Sequence, residues 1–418
     1  MNKELLQSLS GFRDQLEPSK SAILDQLKKI FQSYGYQELE TPVIEKQEIL
    51  LGNYGDEAQK LLYLFKDNGQ RQVGLRYDLT VPLSRYVAGN YQELALPFKR
   101  FEIGPVFRAE KPQAGRFRQF TQADIDIVGS EGGEREILEI VAAVEEAFNL
   151  KLTCLINDRQ IIAAVFRELK IPLEIQARLL RLLDKKDKIK PERLGKELGD
   201  LGLTAVQKKA VNGLFLIDDE PFDELKSLLG SFEALENLKG LVKYSQLLGL
   251  KMKFDLSMVR GLDYYTGTIM EWIDQSYGGG TLIAGGRYDG LVDSLIGQKL
   301  PAVGISFGVD RIGEVIQLQA PETLFIACLP ETEVESRRWA NEMREKGQRV
   351  EVYLDSTVEL GKQIKFADRR GYKTIIIPLE EEWKKGQVAV KNLETGQQEA
   401  VKRDEISALE ISSKERAN

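Results

Sequence analysis

The chain has 418 residues, enough for two or three domains, and its 42% hydrophobic and 29% charged residues are those of an ordinary globular protein. It contains no histidine, which excludes Ser–His and Cys–His catalysis, His-ligated zinc and any imidazole general base. The net charge of −7 argues against coating nucleic acid non-specifically, yet leaves room for a local basic track.

No apolar run approaches the ~20 residues needed to cross a bilayer, so no membrane partner is expected. The N-terminal MNKELLQSLSGFRD lacks the apolar core of a signal peptide and reads as the start of a cytoplasmic chain. Cys154 and Cys328 lie far apart in apolar settings and read as small buried hydrophobes.

In residues 19–34, Ile23, Leu27, Ile30 and Phe31 fall at helical spacing, with Ser19 as the expected N-cap and Gly35 as the stop. YQELETPVIE follows as a strand interrupted by Pro42. GLRYDLTVPLSRY (74–86) reads as a strand leading into a helix start, and its Asp78 and Thr80 offer a carboxylate and a hydroxyl suited to an ammonium group. Residues 101–129 read as an antiparallel hairpin whose polar loop carries Pro112 and Gly115. Side chains two apart share a strand face, so Gln122, Asp124 and Asp126 point together, as do Arg116, Arg118 and Phe120. Guanidiniums suit phosphate oxygens, carboxylates suit an ammonium or imidazole, and Phe120 offers a face for a base.

Residues 131–150 and 158–169 read as helices around a strand at KLTCLIND. A basic helical stretch then carries Arg178, Arg181, Lys185, Lys186, Lys188, Lys190, Arg193 and Lys196; it is either a solvated helix face or a set of phosphate contacts. KFDLSMVRGLDYYTGTIME (253–271) places Arg260 before a glycine and follows it with Tyr264 and Tyr265, whose hydroxyls can hydrogen-bond an imidazole. LIAGGRYDGLV (282–292) adds a double glycine, Arg287 and Tyr288. In PAVGISFGVDRI (301–312) small residues permit tight strand–helix packing, with Arg311 in the helix's first turn. Beyond Pro321 the pattern becomes β-α-β-α-β followed by a hairpin, a small mixed α/β domain.

The string FRAEKPQAGRFRQFTQADIDIVG closely resembles the second signature motif of class II aminoacyl-tRNA synthetases in its histidyl-tRNA synthetase form. RGLDYYTG and LIAGGRYDG resemble signatures peculiar to that family, residues 19–45 and 301–312 resemble its first and third class II motifs, and LGKQIKFAD and VAVKNL resemble its anticodon-binding domain. The resemblance implies an α+β fold: a mainly antiparallel class II sheet flanked by helices over residues 1–320, a helical insertion at about 170–250, and a C-terminal α/β anticodon-binding domain over 321–418. It also implies a homodimer built on the first motif.

The implied activity is activation of histidine by ATP, with transfer of the histidyl group to tRNA(His). On the matching motifs Arg108 should hold the α-phosphate, Glu110 the adenine amino group and Arg116 the γ-phosphate, while Phe120 and Arg311 sandwich the adenine. Asp78, Thr80 and Gln122 should bind the substrate's ammonium, and Asp126, Tyr264, Tyr265 and Tyr288 should surround its imidazole. Arg260, with Arg108, is the expected catalytic residue; it should border the histidine site and face the α-phosphate across from Mg²⁺, for which no protein ligand is assigned. Thr121 and Tyr77-Asp78 depart from bacterial members, where His and an Arg-Pro-Glu string are common. The competing assignment is the regulatory paralogue that pairs with ATP phosphoribosyltransferase, which binds histidine but charges no tRNA. It usually lacks the tail and has eroded motifs, whereas Arg108, Glu110, Arg116, Arg260, Arg311 and the tail are all present here.

Overall fold

The structure is a computed structural model and describes residues 8–14, 18–53, 59–112, 117–183, 191–215, 220–258, 264–278, 280–316 and 323–406. The chain divides into two compact units, Met1–Leu318 and Gln319–Asn418. In the first, helix α1 (Pro18–Ser33) forms because Ile23, Leu27, Ile30 and Phe31 make one continuous apolar stripe, and all four are buried. Each such burial contributes about 1.5–3 kcal/mol. Phe31 lies 5.6 Å from Phe101 and 5.3 Å from Phe307, which fixes the helix across the main sheet. Ser19 is not the N-cap: the helix already includes Pro18, whose fixed φ suits a first helical position.

The expected strand around Pro42 is divided. β1 (Gln37–Glu38) joins the main sheet, and β2 (Ile44–Lys46) joins a small three-stranded sheet. Proline lacks the N–H that an unbroken ladder needs, so the chain changes sheets there. After α2 (Gln47–Asn53), β3 (Leu64–Lys66) and β4 (Gln72–Leu75) complete the small sheet in the order β2-β4-β3. Helix α3 (Thr80–Asn90) follows with Pro82 in its first turn.

The expected hairpin is present as β5 (Phe98–Phe107) and β6 (Gln119–Val128), antiparallel along their whole length. Next come α4 (Gly133–Phe148), β7 (Thr153–Asp158) and α5 (Arg159–Glu168). Five helices among the described residues then separate α5 from the next strand: α6 (Leu173–Leu183), α7 (Pro191–Gly199), α8 (Ala205–Phe215), α9 (Phe222–Leu229) and α10 (Glu233–Leu247). Of the basic stretch, Arg178 and Arg181 lie on α6 and Arg193 and Lys196 on α7, while Lys185, Lys186, Lys188 and Lys190 fall outside the described residues.

The unit finishes with β8 (Lys251–Phe254), β9 (Thr268–Ile273), β10 (Thr281–Arg287), α11 (Gly290–Ile296), β11 (Ala302–Gly308) and α12 (Val309–Val315). The eight-stranded sheet runs β1-β5-β6-β11-β10-β9-β7-β8, antiparallel except for its two outermost pairs. Both cysteines are buried and free.

The second unit alternates as expected. β12 (Leu324–Ile326), α13 (Glu333–Glu345), β13 (Val350–Val352), α14 (Leu360–Arg369) and β14 (Thr374–Ile377) build a parallel core. A short helix, α15 (Glu380–Lys384), then intervenes before the hairpin β15 (Gln387–Asn392) and β16 (Gln398–Lys402). The sequence alone gave no expectation of α15. Its Glu380, Glu381 and Glu382 favour the positive end of a helix, and Trp383 packs against Trp339 at 5.8 Å.

Candidate active site

The register of three neighbouring strands builds the floor of the site. On β5, Arg100, Glu102 and Gly104 lie directly opposite Asp126, Asp124 and Gln122 of β6. Those three in turn face Gly304, Ser306 and Gly308 of β11. Directly opposed residues share a face, so one patch collects the polar groups of β6 and sets small residues beside them. On β10, Gly286 and Ala284 continue the small row opposite Gly304 and Ser306. Above this row lies a cavity of about 350 Å³. The small residues are a steric requirement: a Cβ on Gly304 would stand 2.0 Å from Asp126 Oδ1, and one on Gly104 would stand 2.2 Å from Arg76 Nη2.

A buried ionic network on the same face holds the floor in place. Arg100 pairs with Asp126 at 2.9 Å, donates to the Leu79 carbonyl at 2.8 Å and approaches Glu102 at 3.7 Å. Arg76 pairs with Glu102 at 2.8 Å and donates to the carbonyls of Thr41 and Pro105. The Thr41 amide and hydroxyl both donate to Glu102 as well. Removing one partner from such a network typically costs about 3–5 kcal/mol, so these pairs fix where the carboxylates stand. The Tyr288 hydroxyl donates to Asp126. Burial still pushes the Asp126 carboxyl above the usual range, against the pull of Arg100 and Tyr288. Burial also pushes Asp124 up to about 8, with Arg100 opposing and Asp126 adding to the rise.

At one end of the cavity stand three tyrosines. Tyr264 meets Tyr265 at 5.0 Å and Tyr288 at 5.9 Å, both edge-on. Burial raises the Tyr265 and Tyr288 hydroxyls, so both remain neutral donors. Asp78 accepts the Thr80 and Val81 amides at the start of α3 and receives the Tyr264 hydroxyl at 3.4 Å. Thr80 lines the same space.

At the other end, the Arg108 guanidinium lies 5.1 Å from the Phe120 ring and 4.3 Å from the Tyr77 ring. Glu110 and Arg311 line this end, and Arg311 donates to the Thr281 carbonyl at 2.6 Å. Asp310, not singled out from sequence, accepts the Thr121 amide at 2.9 Å, Lys20 at 2.9 Å and Arg13 at 3.3 Å. Arg13 also covers Phe117 at 3.6 Å.

One expected grouping fails. Arg118 does not accompany Phe120 into the cavity; it precedes β6 and donates to the carbonyls of Glu110 and Ser10. Arg116 and Arg260 lie outside the described residues. The structure thus gathers Asp78, Thr80, Arg108, Glu110, Phe120, Gln122, Asp126, Tyr264, Tyr265, Tyr288 and Arg311 around one cavity. Sequence reasoning left Asp124 out of the site, although the period of two already put it on the shared face. Arg100, Arg76 and Glu102 carried no sequence signal, because strand partners decide their burial.

The model of the family described as histidyl-tRNA synthetase matches residues 11–312. The chain belongs to that family. A second model, described as an anticodon binding domain, matches residues 323–411 of this chain. It is 36% identical over 420 residues to the histidine–tRNA ligase of Rhodopirellula baltica, covering 94% of this chain and 95% of that one. A crystal structure of histidyl-tRNA synthetase from Nostoc sp. superposes with a TM-score of 0.82 at 28% identity, covering 98% of this chain and 99% of that one. A Bacillus halodurans structure titled as an ATP phosphoribosyltransferase regulatory subunit/histidyl-tRNA synthetase superposes with a TM-score of 0.74 at 24% identity, covering 88% and 96%; that likeness concerns the fold alone. The ligase name and the anticodon-binding match disfavour the regulatory paralogue, so the synthetase is a class II ligase. Among the described residues no helix is long and apolar enough to cross a membrane.

Proposed function

We propose that the chain joins histidine to ATP, forming histidyl-adenylate and pyrophosphate, and then passes the histidyl group to the 3′ end of tRNA(His). One observation carries this reading: a single cavity has a buried carboxylate-and-tyrosine end and a guanidinium-and-aromatic end. The first suits an amino acid with an ammonium and an imidazole, and the second suits a nucleotide.

Asp78, Thr80 and Gln122 take the ammonium, and Asp126, Tyr264, Tyr265 and Tyr288 surround the imidazole. Arg108 holds the α-phosphate, Glu110 the adenine amino group and Arg116 the γ-phosphate, with Phe120 and Arg311 on the two faces of the base. Arg260 neutralises charge as the histidine carboxylate attacks the α-phosphorus. That carboxylate is already a nucleophile, so positioning and charge neutralisation carry the rate and no side-chain base is needed. The absence of histidine from the chain leaves such a mechanism intact.

No group of three His, Cys, Asp or Glu side chains among the described residues is arranged to hold a metal. Mg²⁺ enters with ATP, as part of the substrate, in keeping with its preference for phosphates and retained waters. We further infer a cytoplasmic homodimer in which residues 1–320 form adenylate, the helices at about 170–250 lean on tRNA, and residues 321–418 read the anticodon.

ATP–pyrophosphate exchange run with each of the twenty amino acids tests this reading, followed by charging of tRNA. Exchange with histidine alone, and charging of tRNA(His), is the expected result. Exchange with another amino acid, or histidine binding without exchange, would overturn it.

A further inference from the structure

Asp124 stands at the centre of the polar floor, yet none of the roles above uses it. It is 3% exposed and lines the cavity. The Gln122 side-chain amide donates to the Ser306 hydroxyl at 2.5 Å, and that hydroxyl donates to Asp124. This relay orients both β6 side chains and uses up one side of each. What it leaves over is Gln122 Oε1 and Asp124 Oδ1, both buried and accepting no hydrogen bond from the described residues. Two orphaned acceptors at such depth cost free energy unless a ligand supplies donors.

We propose that Asp124 is a specificity-determining residue whose free carboxylate oxygen accepts an N–H from the substrate's α-ammonium, beside Gln122 and Asp78. An ammonium carries three N–H donors in a tetrahedral array. The Asp78 carboxylate, Gln122 Oε1 and Asp124 Oδ1 supply three acceptors. The assignment rests on the histidine-activating reading and deepens it: the site selects a free amino group as well as an imidazole.

The surrounding charges give this contact a second consequence. Arg100 and Glu102 face Asp124 from β5, Asp126 from its own strand, Arg76 from the segment after β4, Asp78 from the segment before α3, and Tyr265 from the cavity wall. Four carboxyl groups thus meet two guanidiniums. With burial pushing Asp124 up to about 8, it is protonated in the empty site at neutral pH. An arriving ammonium favours the ionised form, so its proton leaves to solvent as histidine binds.

The experiment is titration calorimetry of histidine into the full-length chain at pH 7, in two buffers of different ionisation heat. The wild type should release close to one proton per histidine bound. Asp124→Asn, which keeps the size and an acceptor for Ser306, should lose that release and weaken histidine binding by about ten- to a hundredfold. Its KM for ATP should stay unchanged. On the wild type, histidinol keeps the ammonium and should still release the proton, whereas imidazolepropionate lacks it and should not. Equal proton release from imidazolepropionate, or an Asp124→Asn variant indistinguishable from wild type, overturns the assignment while leaving histidine activation standing. Failure of the wild type to bind histidine at all would instead bring down the underlying reading, and this assignment with it.

Discussion

Gly304→Ala places a side chain directly against the floor of this site. The added Cβ would stand 2.0 Å from Asp126 Oδ1, 2.6 Å from Asp126 Cγ and 2.8 Å from the Ile125 carbonyl oxygen. An ordinary C···O contact is about 3.3 Å, so the Asp126 carboxylate must retreat by roughly an ångström or more. That movement takes it from the Tyr288 hydroxyl and from Arg100, now 2.9 Å away. Overpacking costs about 1–3 kcal/mol and a fully broken buried pair about 3–5 kcal/mol. Partial relaxation on both sides gives an expected destabilisation of about 2–4 kcal/mol. Moving a charged hydrogen-bond acceptor away from the imidazole should raise KM for histidine by about ten- to a hundredfold, with KM for ATP nearly unchanged. Gly240→Ala is the control: it sits inside α10 with nothing within 4 Å of the new Cβ, and should stabilise by about 0.5–1 kcal/mol. Urea unfolding and histidine-dependent pyrophosphate exchange, measured on both variants, read the two effects. If Gly304→Ala matches wild type in midpoint and in KM for histidine, the steric reasoning about the floor is wrong.

Arg260→Gln should slow adenylate formation by about 10²–10³, the usual loss when a transition-state charge partner is removed, with little change in histidine affinity; near-normal exchange would strike Arg260 from the catalytic residues. A chain ending at Ala320 should still exchange pyrophosphate yet charge tRNA poorly, and unchanged charging in a filter-binding assay would assign the second unit another task. Burial pushes the Glu145 carboxyl from 4.5 up to about 7, opposed by the Leu152 amide and by Lys251. The folded chain therefore holds a proton that the unfolded chain has already released, and this group's contribution to stability falls as pH rises from about 4.5 to 7 and is flat above. Glu145→Gln should gain stability over wild type across that window, and parallel urea midpoints from pH 4.5 to 8 would refute the assignment.

Local signals determined much of this protein. The apolar stripe of α1, the alternation and turn of the β5–β6 hairpin and the strand–helix alternation after Pro321 were legible in the sequence. Periodicity reports which face of one element is apolar, and a nearby turn fixes a hairpin's register. The same logic set Gln122, Asp124 and Asp126 on one face. It also promised Arg118 to the Phe120 face, where the Glu110 and Ser10 carbonyls claim its guanidinium instead. What tertiary structure alone decided is what lies opposite each residue. Pairing of β6 with β11, far away in the chain, sets Gly304 against Asp126 and Ser306 against Asp124. Nothing in the local sequence of Arg100, Arg76 or Glu102 marks them for burial, and Pro42 marks a break in the strand without saying that β1 and β2 belong to different sheets. Burial, pairing and the pKa shifts they cause depend on non-local partners, and a chain read in one dimension carries no term for them.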